Sequence, residues 1–136
     1  YSLMKQAGFY LLILLMASCK TAPVVKKLKG SDSLVITFNV PDSDSVLNTI
    51  TTTDTRAIQK LAHFLTGKTT DKKDCGFDGN MQFFKAGHPL LPVVFRFSDK
   101  DCRTFIYDLD NTVMKTELSA EAADFLQSLF DNKNWY

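Results

Sequence analysis

From Leu34 the chain alternates. Leu34, Ile36, Phe38 and Val40 fall on one side of an extended backbone, with Val35, Thr37 and Asn39 on the other. That is the period of a strand with one buried face. Pro41 to Ser45 is a turn by composition, and the β-branched run from Val46 to Thr53 predicts a second strand. The period then changes. Ile58, Leu61, Ala62 and Leu65 share a helix face, Thr53 or Asp54 stands ready to cap it, and Gly67 suits the left-handed position just past its end. After a charged loop from Lys68 to Asp74 come strand-like runs at Met81–Lys85, Leu91–Phe97 and Cys102–Leu109, with a fourth at Val113–Glu117. Gly87-His88-Pro89, Ser98 to Asp101, and Asp110-Asn111 are the turns between them.

The final element is helical. Ser119 caps it, and Ala122, Phe125, Leu126, Leu129 and Phe130 recur at helical spacing. Short connections between successive strands imply an antiparallel meander. Two helices on one face of such a sheet give an α+β domain, expected over residues 34–136. No internal repeat is visible.

At 136 residues the chain has room for one domain, and 45% apolar content with eleven Phe is enough for an ordinary core. The net charge of +1 conceals an asymmetry. Lys20, Lys26, Lys27 and Lys29 crowd a stretch without acids, whereas from Ser31 onward eleven Lys plus Arg face fifteen Asp plus Glu, a net of −4. A mildly acidic body lacks the basic surface that a nucleic acid would require, so no nucleic-acid partner is expected.

Ahead of the domain, Met4-Lys5-Gln6 makes a positive start and Ala7 to Ala17 carries no charge. Eleven such residues fall short of the roughly 20 that span a bilayer and fit the apolar region of a signal peptide. The run ends in Met16-Ala17-Ser18-Cys19, which resembles a lipobox, the cleavage and lipidation pattern of bacterial lipoproteins, with Met in place of the usual Leu. The resemblance covers about the first fifth of the chain. It implies a signal peptide over 1–18, cleavage before Cys19, thioether-linked lipid on that cysteine, and a membrane as partner. Lys20 stands where an inner-membrane retention signal would often have Asp, which favours the outer membrane. Residues 19–33, Lys-rich with Pro23 and Gly30, read as a flexible tether.

With Cys19 lipidated, Cys75 and Cys102 remain as a pair, and an exported domain is where a disulfide persists. The meander favours it: strands one and three of an up-down-up set begin at the same end, Cys75 precedes the first and Cys102 opens the third.

A second motif is Phe105-Ile106-Tyr107-Asp108-Leu109-Asp110-Asn111-Thr112-Val113, which resembles the first motif of haloacid-dehalogenase phosphatases. The resemblance implies Asp108 as nucleophile, Asp110 as general acid/base, and Mg²⁺. That chemistry sits on a parallel doubly wound sheet, and only 23 residues follow Val113, in a region that reads as antiparallel hairpins. Asp110-Asn111 is equally what a tight hairpin turn needs.

No catalytic set, metal set or cofactor is expected elsewhere. His63 and His88 are far apart in sequence, and Asp74, Asp78, Gly79 and Asn80 miss the spacing of a calcium loop. The reading is therefore a membrane-anchored, non-enzymatic envelope lipoprotein that binds another envelope protein, with the Lys68–Gly79 loop as contact surface. The alternative is a phosphatase fragment using Asp108 and Asp110.

Overall fold

Alternation of apolar and polar residues is realised as a six-stranded sheet. The computed structural model describes residues 21–73 and 75–133. The expected signal peptide, Cys19, Asp74, Trp135 and Tyr136 lie outside the described residues. In chain order the elements are α1 (Pro23–Lys27), β1 (Ser33–Asn39), β2 (Val46–Thr52), α2 (Thr55–Phe64), β3 (Gly79–Lys85), β4 (His88–Arg96), β5 (Thr104–Leu109), β6 (Thr112–Glu117) and α3 (Ala120–Phe130). The strand order is β2-β1-β3-β4-β5-β6, with every neighbouring pair antiparallel. The fold is α+β, as the patterning implies. β3 to β6 form the expected meander, and the β1–β2 hairpin is joined on through β1.

One face of the sheet carries the core. Leu34, Ile36, Phe38, Met81, Phe83, Leu91, Val93, Phe95, Phe105 and Tyr107 point to it, and α2 and α3 cover it with Ile58, Leu61, Phe125, Leu126 and Leu129. The two helices meet edge-to-face through Phe64 and Phe125, ring centroids 5.7 Å apart. Local chemistry fixes the helix starts. Asp54 caps α2 by accepting from the amides of Arg56 (2.9 Å) and Ala57 (3.4 Å), and Ser119 caps α3 by accepting from Ala122 (3.1 Å). A side-chain hydrogen bond from Arg56, helped by those amides, holds the Asp54 carboxyl below its ordinary pKa.

The structure corrects three details expected from the sequence and decides a fourth that the sequence leaves open. The stretch read as a tether is folded from Pro23 onward: Val24 and Leu28, spaced i and i+4 among lysines, are 3% and 4% exposed in the core. Ser31 Oγ then donates to Leu28 O, and Asp32 accepts from the Ala86 amide (2.8 Å), tying the segment to the β3–β4 hairpin. Gly67 is not a left-handed cap. α2 closes through Leu65 in right-handed conformation, and glycine is required because a Cβ there would strike the Glu117 carbonyl oxygen. The β3–β4 turn is Ala86-Gly87, both with positive φ (50° and 79°), so His88 and Pro89 belong to β4. Of the two candidates for the α2 cap, Asp54 serves and Thr53 does not.

This packing can be tested at two residues. Leu28→Ala removes a core side chain rather than a tether residue, and we expect a loss of about 2–5 kcal/mol in urea unfolding; an unchanged midpoint would return the segment to a tether. The second residue is Tyr107, whose hydroxyl donates to Leu65 O (3.2 Å) and whose burial raises its pKa above the ordinary value. The unfolded chain therefore ionises first, and this residue's contribution to stability is complete below about pH 10 and shrinks as pH rises through the folded pKa. The stability difference between the native chain and Tyr107→Phe is expected to be constant from about pH 7 to 9 and to narrow above about 10; a difference independent of pH refutes the assignment.

Candidate functional site

The two edges of the sheet are treated differently. Beyond β6, the chain leaving α2 adds a partial seventh strand: Thr69 bridges Thr116, the Thr70 amide donates to Lys115 O (2.9 Å), and the Glu117 amide donates to Lys68 O (2.7 Å). β2, at the opposite edge, has no outer neighbour among the described residues. Its sequence is Val-Leu-Asn-Thr-Ile-Thr-Thr, without charge or proline. Edge strands usually carry such features to prevent pairing with another chain. The register slips between Phe38 and Asn39, which leaves Leu47 without a direct partner on β1, and from Asn48 to Thr52 the ladder is regular.

At the hairpin end of β2 lies a cleft of about 190 Å³. Its floor is an aromatic cluster in which Phe38 sits edge-to-face with Phe95, Phe97 and Phe130 at centroid distances of 5.9, 5.7 and 5.3 Å. Pro41 and Leu47 form one wall and Gln127 and Phe130 of α3 the other. Three of the five exposed large apolar residues among the described residues, Val40, Val46 and Leu47, belong to this hairpin. Asn39 also lines the cleft. It is 6% exposed, and its Oδ1 has no hydrogen-bond partner among the described residues.

Asp78 forms the base of the same end. It is 2% exposed and accepts from the amides of Phe97 (3.0 Å) and Ser98 (3.1 Å) and from the Ser98 hydroxyl, with Arg96 Nε 3.9 Å away. These contacts fix the start of the β4–β5 loop. Next to it, Gly79 must be glycine because a Cβ would collide with the Phe95 ring. In sequence Asp78 figures only in a calcium-like loop, whereas in space the carboxylate is a brace for backbone amides. The one sequence signal of that role is its place immediately before an apolar strand.

Cys75 and Cys102 lie at disulfide distance, Cα atoms 5.3 Å apart. Their bond straps the chain across the sheet face that the helices leave open. Cys75, Gly76 and Phe77 lie there against Val94, Thr104, Ile106 and Lys115, around a second hollow of about 340 Å³. The strap meets the β1–β2 hairpin as well: Asp42 accepts from the Phe77 amide (3.1 Å), and its own amide donates to Phe77 O (2.8 Å). The disulfide, Asp78 and the hairpin thus form one connected end of the sheet.

The other sequence candidates are not brought together. Asp108 is exposed on β5 opposite Val113, and Asp110 and Asn111 have φ of 51° and 67°, the left-handed pair of a two-residue hairpin turn. The strands around them are antiparallel, unlike the parallel sheet the phosphatase motif implies. His63 and His88 are exposed on separate elements, and among the described residues no three His, Cys, Asp or Glu side chains gather as a metal set. Comparison with family models, curated proteins and solved structures finds no match to this chain.

Closing the 27-residue separation between the cysteines constrains the unfolded chain. Cys75→Ser with Cys102→Ser is expected to lower stability by about 3–4 kcal/mol in chemical denaturation, and the Asp42 and Phe77 amides should exchange faster. Equal stability of the double variant would show that the strap is not bonded in the native protein.

Proposed function

We propose that this chain is a small lipoprotein of the bacterial cell envelope, anchored by lipid on Cys19, whose domain acts by binding another protein along the open edge of β2. The leader and the Met16–Cys19 pattern support the anchor. The observation that carries the binding role is the contrast between the two edges, β6 bridged by residues 68–70 and β2 uncharged and unpaired among the described residues. An exposed row of backbone donors and acceptors is what an extended segment of another protein recognises in strand addition. Sequence favours the Lys68–Gly79 loop as contact surface. Part of its backbone is engaged with β6, so the proposal moves the contact to β2.

The fold also supports an orientation. Packing begins at Val24, so the link from Cys19 to the first packed side chain is four residues, at most about 15 Å when extended. The domain would sit close to the bilayer, with exposed Lys26, Lys27 and Lys29 near the headgroups. β1 leads away from that end for seven residues, about 23 Å, to the hairpin and cleft, which would then face away from the membrane.

Two measurements on native membranes test the reading. Mass spectrometry of the mature protein should find its N-terminus at Cys19 carrying acyl chains, and Cys19→Ala should release the domain from the membrane fraction. A photo-crosslinker at Thr49 or Thr51 should join the domain to one discrete partner, whereas the same probe at Glu121 on α3 should not. A soluble mature protein with Ser18 retained contradicts the anchor, and equal labelling from all three positions contradicts the edge.

A further inference from the structure

Lipid on Cys19 would fix the domain at one point, and a four-residue link leaves it free to pivot about that point. The charge distribution offers a second contact. Lys26 and Lys27 on α1 and Lys29 just past it are exposed, while Val24 and Leu28 among them are buried. Lys85, the last residue of β3, joins them from another element: its ammonium lies against Gly30, where an added Cβ would come within 3.1 Å of Nζ. The Ala86 amide donates to Asp32 (2.8 Å), so the β3–β4 turn is fastened to the segment after α1. None of the four lysines has an ion pair or a side-chain hydrogen bond among the described residues. Lys72 and Lys115, by contrast, donate to carbonyls.

The acids at this end of the sheet have other places. Asp32 accepts from Ala86, Asp54 caps α2 beside Arg56, and Asp108 and Asp110 belong to the β5–β6 hairpin, on the far side of β4 from Lys85. The opposite end is acidic, with Asp42 and Asp44 in the β1–β2 turn and Asp99 and Asp101 beside Lys100 in the β4–β5 loop. β1, seven residues or about 23 Å long, separates the two ends.

We infer that α1 and the β3–β4 turn together form a docking face for the phosphate groups of an anionic bilayer, a second contact that holds the acidic end away from the membrane. The docking face rests on the proposed anchor for which end meets the membrane, and adds the kind of lipid that the membrane must contain. A bilayer fits better than a soluble anion. The lysines stand on two elements and line neither of the two clefts, so no hollow gathers them round one phosphate. All four are flexible point charges, suited to a fluid array of phosphates, where a single bound phosphate favours the planar fork of an arginine. Headgroup attraction fades within a Debye length, about 10 Å at 0.1 M salt, so it acts on the lysine end and hardly on the acidic end.

The test uses the mature chain carrying Cys19→Ala, which has no lipid. Its binding to vesicles of phosphatidylglycerol and phosphatidylcholine in equal parts, or of phosphatidylcholine alone, is read by co-sedimentation and by amide NMR with a paramagnetic headgroup label. The mixed vesicles should bind the chain, more weakly as salt rises, and the label should broaden the amides of Lys26–Gly30 and Lys85–Gly87 before those of Asp42–Asp44. Phosphatidylcholine alone should do neither. A lysine beside an anionic surface is worth about fivefold, so Lys85→Gln should weaken binding about fivefold, Lys26→Gln with Lys27→Gln about 25-fold, and Lys100→Gln not at all. Equal binding to both vesicle types, or equal effects of Lys85→Gln and Lys100→Gln, overturns the docking face. If native Cys19 carries acyl chains but the unlipidated chain ignores anionic vesicles, the anchor stands and the docking face falls. If native Cys19 is bare while anionic vesicles still bind through these lysines, the anchor falls and the docking face stands. Inorganic phosphate that shifts the Lys85 amide and displaces the vesicles would assign the lysines to a soluble anion and overturn the bilayer.

Discussion

A sheet covered by helices on one face still has two edges, and the backbone groups there need partners just as those inside do. The way this chain deals with its edges sets the course of its longest connection. After α2 the chain turns round the β6 edge, lends residues 68–70 as a partial strand, crosses the open face under the disulfide and enters the sheet at β3. The same crossing that closes one edge places Cys75 beside Cys102 and Phe77 beside Asp42. No comparable segment among the described residues reaches β2. The asymmetry is a property of the connectivity and not of any single residue.

The cleft is a consequence of the same arrangement. The sheet narrows to a hairpin at residues 40–45, and α3 ends beside it at Phe130, so among the described residues the aromatic floor is left open. Asp78 keeps the neighbouring loop in place by accepting from two backbone amides, and the buried guanidinium of Arg96 lies close enough to offset part of its charge. Burying a carboxylate is costly unless it is hydrogen-bonded in this way.

Much of the fold is legible from periodicity. Leu34, Ile36 and Phe38 on β1, the Ile58–Leu61–Leu65 stripe and the Ala122–Leu129 stripe each bury the side that their spacing implies, because one-faced burial is what the alternation encodes. The pairing of Cys75 with Cys102 is legible too, through the common end from which β3 and β5 begin. Helix α1 is hidden because two apolar residues, Val24 and Leu28, are outvoted by surrounding lysines, although packing needs only one helix face. The role of Gly67 escapes a local reading because its constraint is a contact with Glu117, fifty residues away in sequence. The cleft cannot be foreseen for the same reason: Asn39, Leu47, Phe97 and Phe130 become neighbours only once the hairpin and the last helix are placed. Asp108 and Asp110 show the opposite case, a motif that stands out in sequence and becomes an exposed hairpin in space.

A domain that engages a partner through backbone pairing, as proposed above, needs a stable sheet and one edge kept free. The difference between the edges is the point on which the functional account stands, and native-state amide exchange on the free protein measures it directly. The Thr70 and Glu117 amides, bonded across the β6 edge, should exchange at rates set by opening of the whole sheet. Alternate amides of β2, those turned outward, should exchange orders of magnitude faster. Outward β2 amides as slow as those at β6 would mean that the edge is already closed, and the account would be wrong.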